Sequence, residues 1–212
     1  MPAASSTSTT RRSKAARPVD KYDERRAQLA ASALATLGEL GYARTSLREI
    51  AQNSEFSHGV VHYYFASKAE LIIHCVRQYK EACVTRYDEV VEQSTSAPEL
   101  ARRFADKLVE TLTDEAPMHR LWYDLRTQSM FDCELLADVV EIDRTLEQMV
   151  WRVVDRYAEL SGRPPAFSSA TSYALLDGVF EKAVFAHLAE DPAALPDLRA
   201  RVLEVMPVLL GR

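Results

Sequence analysis

Thr45 to Lys68, TSLREIAQNSEFSHGVVHYYFASK, is the stretch whose reading decides the fold. Leu47, Ile50 and Ala51 fall at i, i+3 and i+4, and Val60, Val61, Tyr64 and Phe65 make a second stripe of the same kind, so two short helices share one brief break. Ser46 with Glu49 has the form of a capping box, and Ser57 caps the second helix. Neither helix can stand alone, because nucleation fixes several residues before the first backbone bond forms. They must brace each other, which is the geometry of a helix-turn-helix, whose second helix can enter a DNA major groove.

What that second helix turns outward bears on its partner. Once the apolar stripe faces the core, His58, Gly59, His62 and Tyr63 remain outside, with Lys68 just beyond. They are hydrogen-bonding, aromatic and cationic groups without a carboxylate among them. Gly59 allows close approach of a phosphate or base, and Ser67 offers a cap where free N–H groups attract anions. This surface suits DNA.

The segment resembles the DNA-binding motif of the tetracycline-repressor (TetR) family of bacterial regulators. The residues that carry the resemblance are Thr45, Ile50-Ala51, Ser57-His58-Gly59, Tyr63-Tyr64-Phe65 and Lys68, followed by Glu70-Leu71. Membership implies an all-α protein with an N-terminal three-helix helix-turn-helix domain and a C-terminal helical domain for ligand binding and dimerisation. It places phosphate contacts at Arg44, Thr45 and Ser46, with a solvated loop plus a cap as the alternative for Arg44, and with the outer face gives an expected DNA-binding set of Arg44, Thr45, Ser46, Ser57, His58, Gly59, His62, Tyr63, Tyr64 and Lys68. Two positions depart from the pattern. Glu55 stands where the family has a turn glycine, a place expected to need positive φ at a cost of roughly 1–2 kcal/mol for a side-chain-bearing residue. His62 replaces a Tyr, so an imidazole contact is expected there.

Outward from this segment, the 212-residue chain is long enough for one large or two small domains. Six glycines and nine prolines, without alternating strands or hairpin turns, leave an all-helical chain. Cys75, Cys83 and Cys133 are too few and scattered for a disulfide framework, which points to a reducing compartment. No apolar run reaches a membrane span, so no membrane partner and a cytoplasmic location are expected. The net charge of −5 hides a split: residues 1–65 hold nine Lys/Arg against six Asp/Glu, a balance of +3 that leaves −8 for the rest. A basic head on an acidic body fits one DNA-facing end.

The expected domains are a disordered basic arm over 1–19, the helix-turn-helix domain over 20–66 and the ligand and dimer domain over 67–212. Arg11, Arg12, Lys14 and Arg17 in the arm read either as a solvated tail or as contacts to phosphates and a minor groove. Leu29, Ala33, Leu37 and Leu40 make a helix face that Gly41 closes. A single helix from Ser67 to Gln93, about 40 Å long, would join head to body. Ser96 and Glu99 look like a second capping box, Ala116-Pro117 interrupts the next helix, a bend is expected near Asp132–Glu134, and Gly162-Arg163-Pro164-Pro165 is a stop. Two last helices follow, 168–189 and 195–210, with Pro207 expected to kink or fray the second.

Bulky side chains crowd the body. Each of these reads first as core packing; the resemblance also implies an effector pocket, which is expected to draw on Phe104, Met118, His119, Trp122, Tyr123, Arg126, Met130 and Trp151, around a small and largely apolar ligand. Helix 168–189 is apolar on two sides, and Leu176, Val179, Phe180 and Val184, with Val202, Val205 and Met206, are the expected two-fold interface. The motifs of hydrolases, zinc proteases and phosphate-binding loops are missing, so the reading is not an enzyme, and no cofactor is expected. His58 and His62 have the i, i+4 spacing of a metal pair but no third ligand nearby, so no metal site is assigned. The function read from these residues is a homodimeric repressor released from a palindromic operator in double-stranded DNA by a small-molecule effector. The alternatives are a helical protein-binding or scaffold module and a DNA-binding activator without a ligand.

Overall fold

The structure, a computed structural model, describes residues 18–211, with side chains from residue 21 onward. The arm cations Arg11, Arg12, Lys14 and Arg17 lie outside the described residues. The described residues form helices joined by short turns and loops, without strands. Helix α1 spans Pro18–Arg44, two residues earlier than the expected domain start. Its Leu29, Ala30, Ala33 and Leu37 are fully buried, each leucine contributing about 1.5–3 kcal/mol by leaving water. At Gly41 the helical path breaks with φ 75 and ψ 172, a combination open essentially to glycine. The expected helix stop is therefore real, although helical hydrogen bonding resumes through Arg44.

Helices α2 (Leu47–Gln52) and α3 (His58–Tyr64) follow. The Ser46–Glu49 capping box forms in both directions, and the Ser57 hydroxyl accepts from the Val60 N–H. Leu47, Ile50, Phe56, Val61 and Phe65 close on α1, so two helices of one or two turns are held by tertiary packing. Glu55 does not need positive φ: among the described non-glycine residues only Glu190 has it. The turn takes a path in which Ser54 bonds back to Ala51 O, and the expected strain is absent.

The expected 67–93 helix is two. Helix α4 spans Lys68–Cys83, about 24 Å, and α5 spans Asp88–Gln93. Between them the chain turns so that Tyr87 packs edge-on to Phe104, at 5.0 Å between ring centroids, while Arg152 binds Val84 O and Asp88 from outside. Helical periodicity carries across such a turn without a break in its stripe, which hides it from sequence. The 33-residue helix α6, Ala97–Ser129, is the central post and touches α1, α5, α7, α8 and α9. Its expected capping box is replaced, since Ser96 makes no side-chain cap bond and Glu99 instead accepts from Thr95 N and Oγ1. Pro117 bends α6 at Glu115 (φ −129, ψ 23) rather than ending it.

Helix α7 spans Cys133–Ser161 and ends on Gly162 at φ 64, ψ 24. Helices α8 (Ser169–Leu188) and α9 (Ala194–Val208) complete the body. Pro207 does not fray α9, because buried Leu209 and Leu210 follow it and Gly211 N–H donates to Pro164 O at 2.8 Å. Cys75 and Cys83 are buried in the stripe expected for them and Cys133 is exposed, all three as free thiols. No helix among the described residues is long and apolar enough to cross a membrane.

Candidate nucleic-acid interface and interior cavity

Helix α3 stands against the small domain by Val61 and Phe65 and leaves its other side in water. Ser57, His58, Gly59, His62 and Tyr63 are exposed, Tyr63 to 72%. The His58 and His62 rings meet edge to face, with their Nε2 atoms 3.2 Å apart, so one imidazole donates to the other. Among the described residues no three His, Cys, Asp or Glu gather as a metal set. A Cβ built on Gly59 meets nothing within 4 Å. The protein itself does not require glycine there. Tyr63 packs against Tyr64 (5.0 Å) and Tyr22 of α1 (6.2 Å), a neighbour that helical spacing within α3 could not reveal.

Not every expected contact faces outward. Thr45 is 2% exposed and its hydroxyl donates to Gly41 O at 2.7 Å, so it closes the α1 break rather than reaching solvent. Lys68 is half-buried: its ammonium donates to Tyr42 O and lies 4.1 Å from the centre of the Tyr42 ring, and burial lowers its pKa. It clamps the end of α1 to the start of α4. Tyr64 is half-buried against Tyr22. Arg44 and Ser46 are exposed, with Arg44 Nε donating to Leu40 O and the Ser46 hydroxyl engaged in its cap.

In the body a cavity of about 70 Å³ lies among α4, α6, α7 and α8. Phe104, His119, Trp122 and Tyr123 line it as expected, joined by Lys80, Cys83, Arg86, Tyr87, Tyr173, Asp177 and Phe180. Met118 instead packs on Gly38, where a built Cβ would come within 2.2 Å of its Cε. Met130 is exposed at the α6–α7 corner, and Trp151 is half-buried without reaching the cavity. Arg126 lies behind the wall, paired with Asp177 at 2.6 Å and 3.7 Å from Asp143. Arg86 binds Glu115 at 2.7 Å, and Tyr79 donates to the same carboxylate. Burial works to raise the Glu115 pKa, but these two partners outweigh it and hold the carboxyl below its ordinary range.

Lys80 has no such partner. It is 5% exposed, and among the described residues its ammonium makes neither a hydrogen bond nor an ion pair, lying 4.9 Å from the centre of the Trp122 ring. Burial pulls its pKa down to about 8, and the same desolvation takes His119 down to about 3 and keeps it neutral. His119 Nε2 and Trp122 Nε1 are buried without partners. Sequence reasoning missed Lys80 because a lysine in an amphipathic helix is read as solvated; its place beside Tyr79, three residues before Cys83, was the available signal.

The same turns of α6 that line the cavity also hold α1. Arg120 donates to Gly38 O and Glu39 O, and Asp124 accepts from the Tyr42 N–H at 2.7 Å. His119, Trp122 and Tyr123 thus alternate along one helix with residues gripping the last turns before the helix-turn-helix.

The expected dimer residues split. Leu176, Val184, Val202 and Met206 are buried in their own chain, and Val179, Phe180 and Val205 are partly so. The exposed apolar side of α8 and α9 is instead Leu175, Phe185, Leu188 and Val208. Helix α8 is apolar around most of its circumference, so its period could not say which side α6 and α9 would take; exposed Glu181 and Lys182 beside Gly178 mark the other one.

Residues 29–75 match the sequence profile of the bacterial regulatory proteins of the tetR family. No curated protein matches the chain in sequence. Among solved structures, a TetR transcription regulator from Haloarcula marismortui is similar at TM-score 0.71 and 18% identity, over 89% of this chain and 100% of that one. The regulator FadR from Bacillus subtilis, in complex with stearoyl-CoA, is similar at TM-score 0.69 and 17% identity, over 85% of this chain and 96% of its own. A regulator from Saccharomonospora viridis in complex with choline is similar at TM-score 0.70 and 17% identity, over 90% and 100%. At these identities the structural likeness shows the fold.

Proposed function

We propose that the chain is a DNA-binding transcriptional regulator of the TetR kind, a homodimeric repressor whose grip on a palindromic operator is released by a small, largely apolar effector bound in the interior cavity; the profile match over residues 29–75 and the shared fold support this reading. The observation that carries this reading is the α6 segment His119–Asp124, which lines the cavity with one side and holds Gly38, Glu39 and Tyr42 with the other. A ligand that spreads the cavity wall would move the segment that sets the angle of the helix-turn-helix. This requires the ligand to bind the released state more tightly than the DNA-bound one. The route runs through α6 as well as α4, whose 16 residues are a shorter lever than the sequence implies.

Two α3 helices related by a two-fold axis would enter successive major grooves about 34–36 Å apart. Exposed His58, His62 and Tyr63 would reach bases or phosphates, Arg44 and Ser46 would hold backbone, and Gly59 would admit the duplex closely. Residues 20–66 serve as the DNA-binding head and 67–212 as the effector and dimer body. The exposed side of α8 and α9 carrying Leu175, Phe185, Leu188 and Val208 supports a four-helix interface between two copies, because its large apolar side chains are exposed, Gly178 permits close approach, and Glu181 and Lys182 could pair across a two-fold axis. Two of the similar regulators are described with stearoyl-CoA and with choline, molecules of unlike chemistry, so the ligand must be read from this chain's own wall.

Gel-shift titration of the full chain against DNA upstream of its own gene tests the reading. Salt-sensitive, sequence-selective binding as a dimer supports it. Indifference to DNA sequence, or a single chain in solution at working concentration, overturns it. Transcription of the adjoining genes should rise when this gene is deleted, and a fall would make the protein an activator.

A further inference from the structure

We propose that the cavity takes a small carboxylate, with its anionic head on the Lys80 ammonium and the Trp122 indole N–H and its apolar body against Phe104, Leu108, Met149 and Phe180. The assignment rests on the reading of this cavity as the effector site and names the chemistry of that effector.

Two buried atoms lining the cavity, Trp122 Nε1 and His119 Nε2, lack partners, and the Lys80 ammonium beside them, 4.9 Å from the centre of the Trp122 ring, makes no hydrogen bond or ion pair among the described residues. A buried donor without an acceptor is costly, and a buried charge more so. The charged groups around Lys80 are already engaged. Asp177 accepts from Arg126 and Tyr123, and Glu115 from Arg86 and Tyr79. Cys83, neutral His119 and the tyrosines Tyr87 and Tyr173, whose hydroxyls burial keeps protonated, are the other titratable groups on the wall. None of these neutralises the ammonium at contact distance. A carboxylate would, because its two oxygens can accept from Lys80 and Trp122 together in charge-assisted bonds. A neutral ligand would leave the ammonium unpaired, and a quaternary cation would share a confined cavity with a like charge.

The rest of the wall is apolar, and it sets the size. The cavity of about 70 Å³ is smaller than the roughly 150 Å³ that accepts benzene in an engineered apolar site. A short-chain or single-ring acid enters with modest side-chain movement, and a longer one must open the wall further.

Matched probes that differ only in the head group test the assignment: benzoate, benzamide and benzamidine, with hexanoate and hexanamide as an unbranched pair. Trp122 fluorescence is followed in a full-length Trp151→Phe background, alongside release of DNA. At least one acid should bind roughly tenfold or more tightly than its amide, and benzamidine should bind least. Lys80→Met should remove that preference while leaving amide binding and folding intact. Near pH 8 acid binding should take up about half a proton, as the half-titrated Lys80 completes its charge, a signal that a merely structural lysine would not produce. An amide that matches its acid and also releases DNA overturns the carboxylate assignment and leaves the effector reading standing. An acid that binds through Lys80 without weakening DNA binding does the reverse. Failure of all five probes to bind overturns the assignment.

Discussion

The outer face of α3 and the interior cavity both hold polar groups that the chain does not fully satisfy, but one set stands in water and the other does not. His58, His62 and Tyr63 are solvated, so leaving them free costs the fold little. Lys80, Trp122 and His119 are buried, and each unpaired donor there costs about 1–3 kcal/mol, more for the charge. The exposed face of α3 can therefore be altered at little cost to stability, whereas the cavity is bound to it. If the comparison is right, substitutions in the two regions should separate cleanly.

The largest effect is expected at Lys80. A native pKa near 8 against an ordinary 10.5 means that the folded protein holds the proton less well than the unfolded chain, at a cost of about 3 kcal/mol below pH 8. That cost fades as pH rises from 8 to 10.5. Lys80→Met should thus stabilise the protein by up to this amount at pH 7 in denaturant titration, and the gain should shrink above pH 8. No gain at pH 7 would mean that the ammonium already has a partner. His119 gives the same test on the acid side. Its native pKa is depressed to about 3, so the unfolded state takes up the proton first and stability falls between pH 6.5 and 3. His119→Phe should lose less stability than the parent over that window.

On the other side of the comparison, Tyr63→Ala should weaken operator binding by roughly tenfold or more while stability stays within about 0.5 kcal/mol. A drop in thermal midpoint would mean that the Tyr22–Tyr63–Tyr64 cluster is structural. Lys68 crosses the boundary between the two kinds of site. With its ammonium on Tyr42 O, Lys68→Ala should cost about 1 kcal/mol of stability as well as DNA affinity, and loss of affinity alone would show that the lysine swings out to phosphate. The smallest change is Gly59→Ala, which has room in the free protein and should gain up to about 1 kcal/mol by helix propensity. Its DNA binding should nevertheless fall, because the added methyl occupies the space the duplex needs.

The legible parts of the sequence were those in which local chemistry decides. Caps at Ser46, Ser57 and Ser67, the Gly41 and Gly162 stops and the α3 outer face all follow from residues within a few positions of one another. The α4–α5 break did not, because a turn of the right length preserves the apolar stripe. Glu55 was misread for a related reason: a family habit of glycine says little about φ when another turn path exists. For Thr45 and Lys68 the residue types suit DNA, yet an acceptor from elsewhere in the fold claims each donor.

By itself the sequence determined that this protein is all helical, that residues 45–68 pair as a helix-turn-helix, and that His58, Gly59, His62 and Tyr63 face away from the core, since these depend on period, capping and side-chain chemistry. Only the tertiary structure decided which side of α8 is left exposed, that Lys80 is buried without a partner, and that α6 joins the cavity to the end of α1. Those outcomes depend on which helices compete for a face, and on acceptors tens of residues away, where periodicity carries no information.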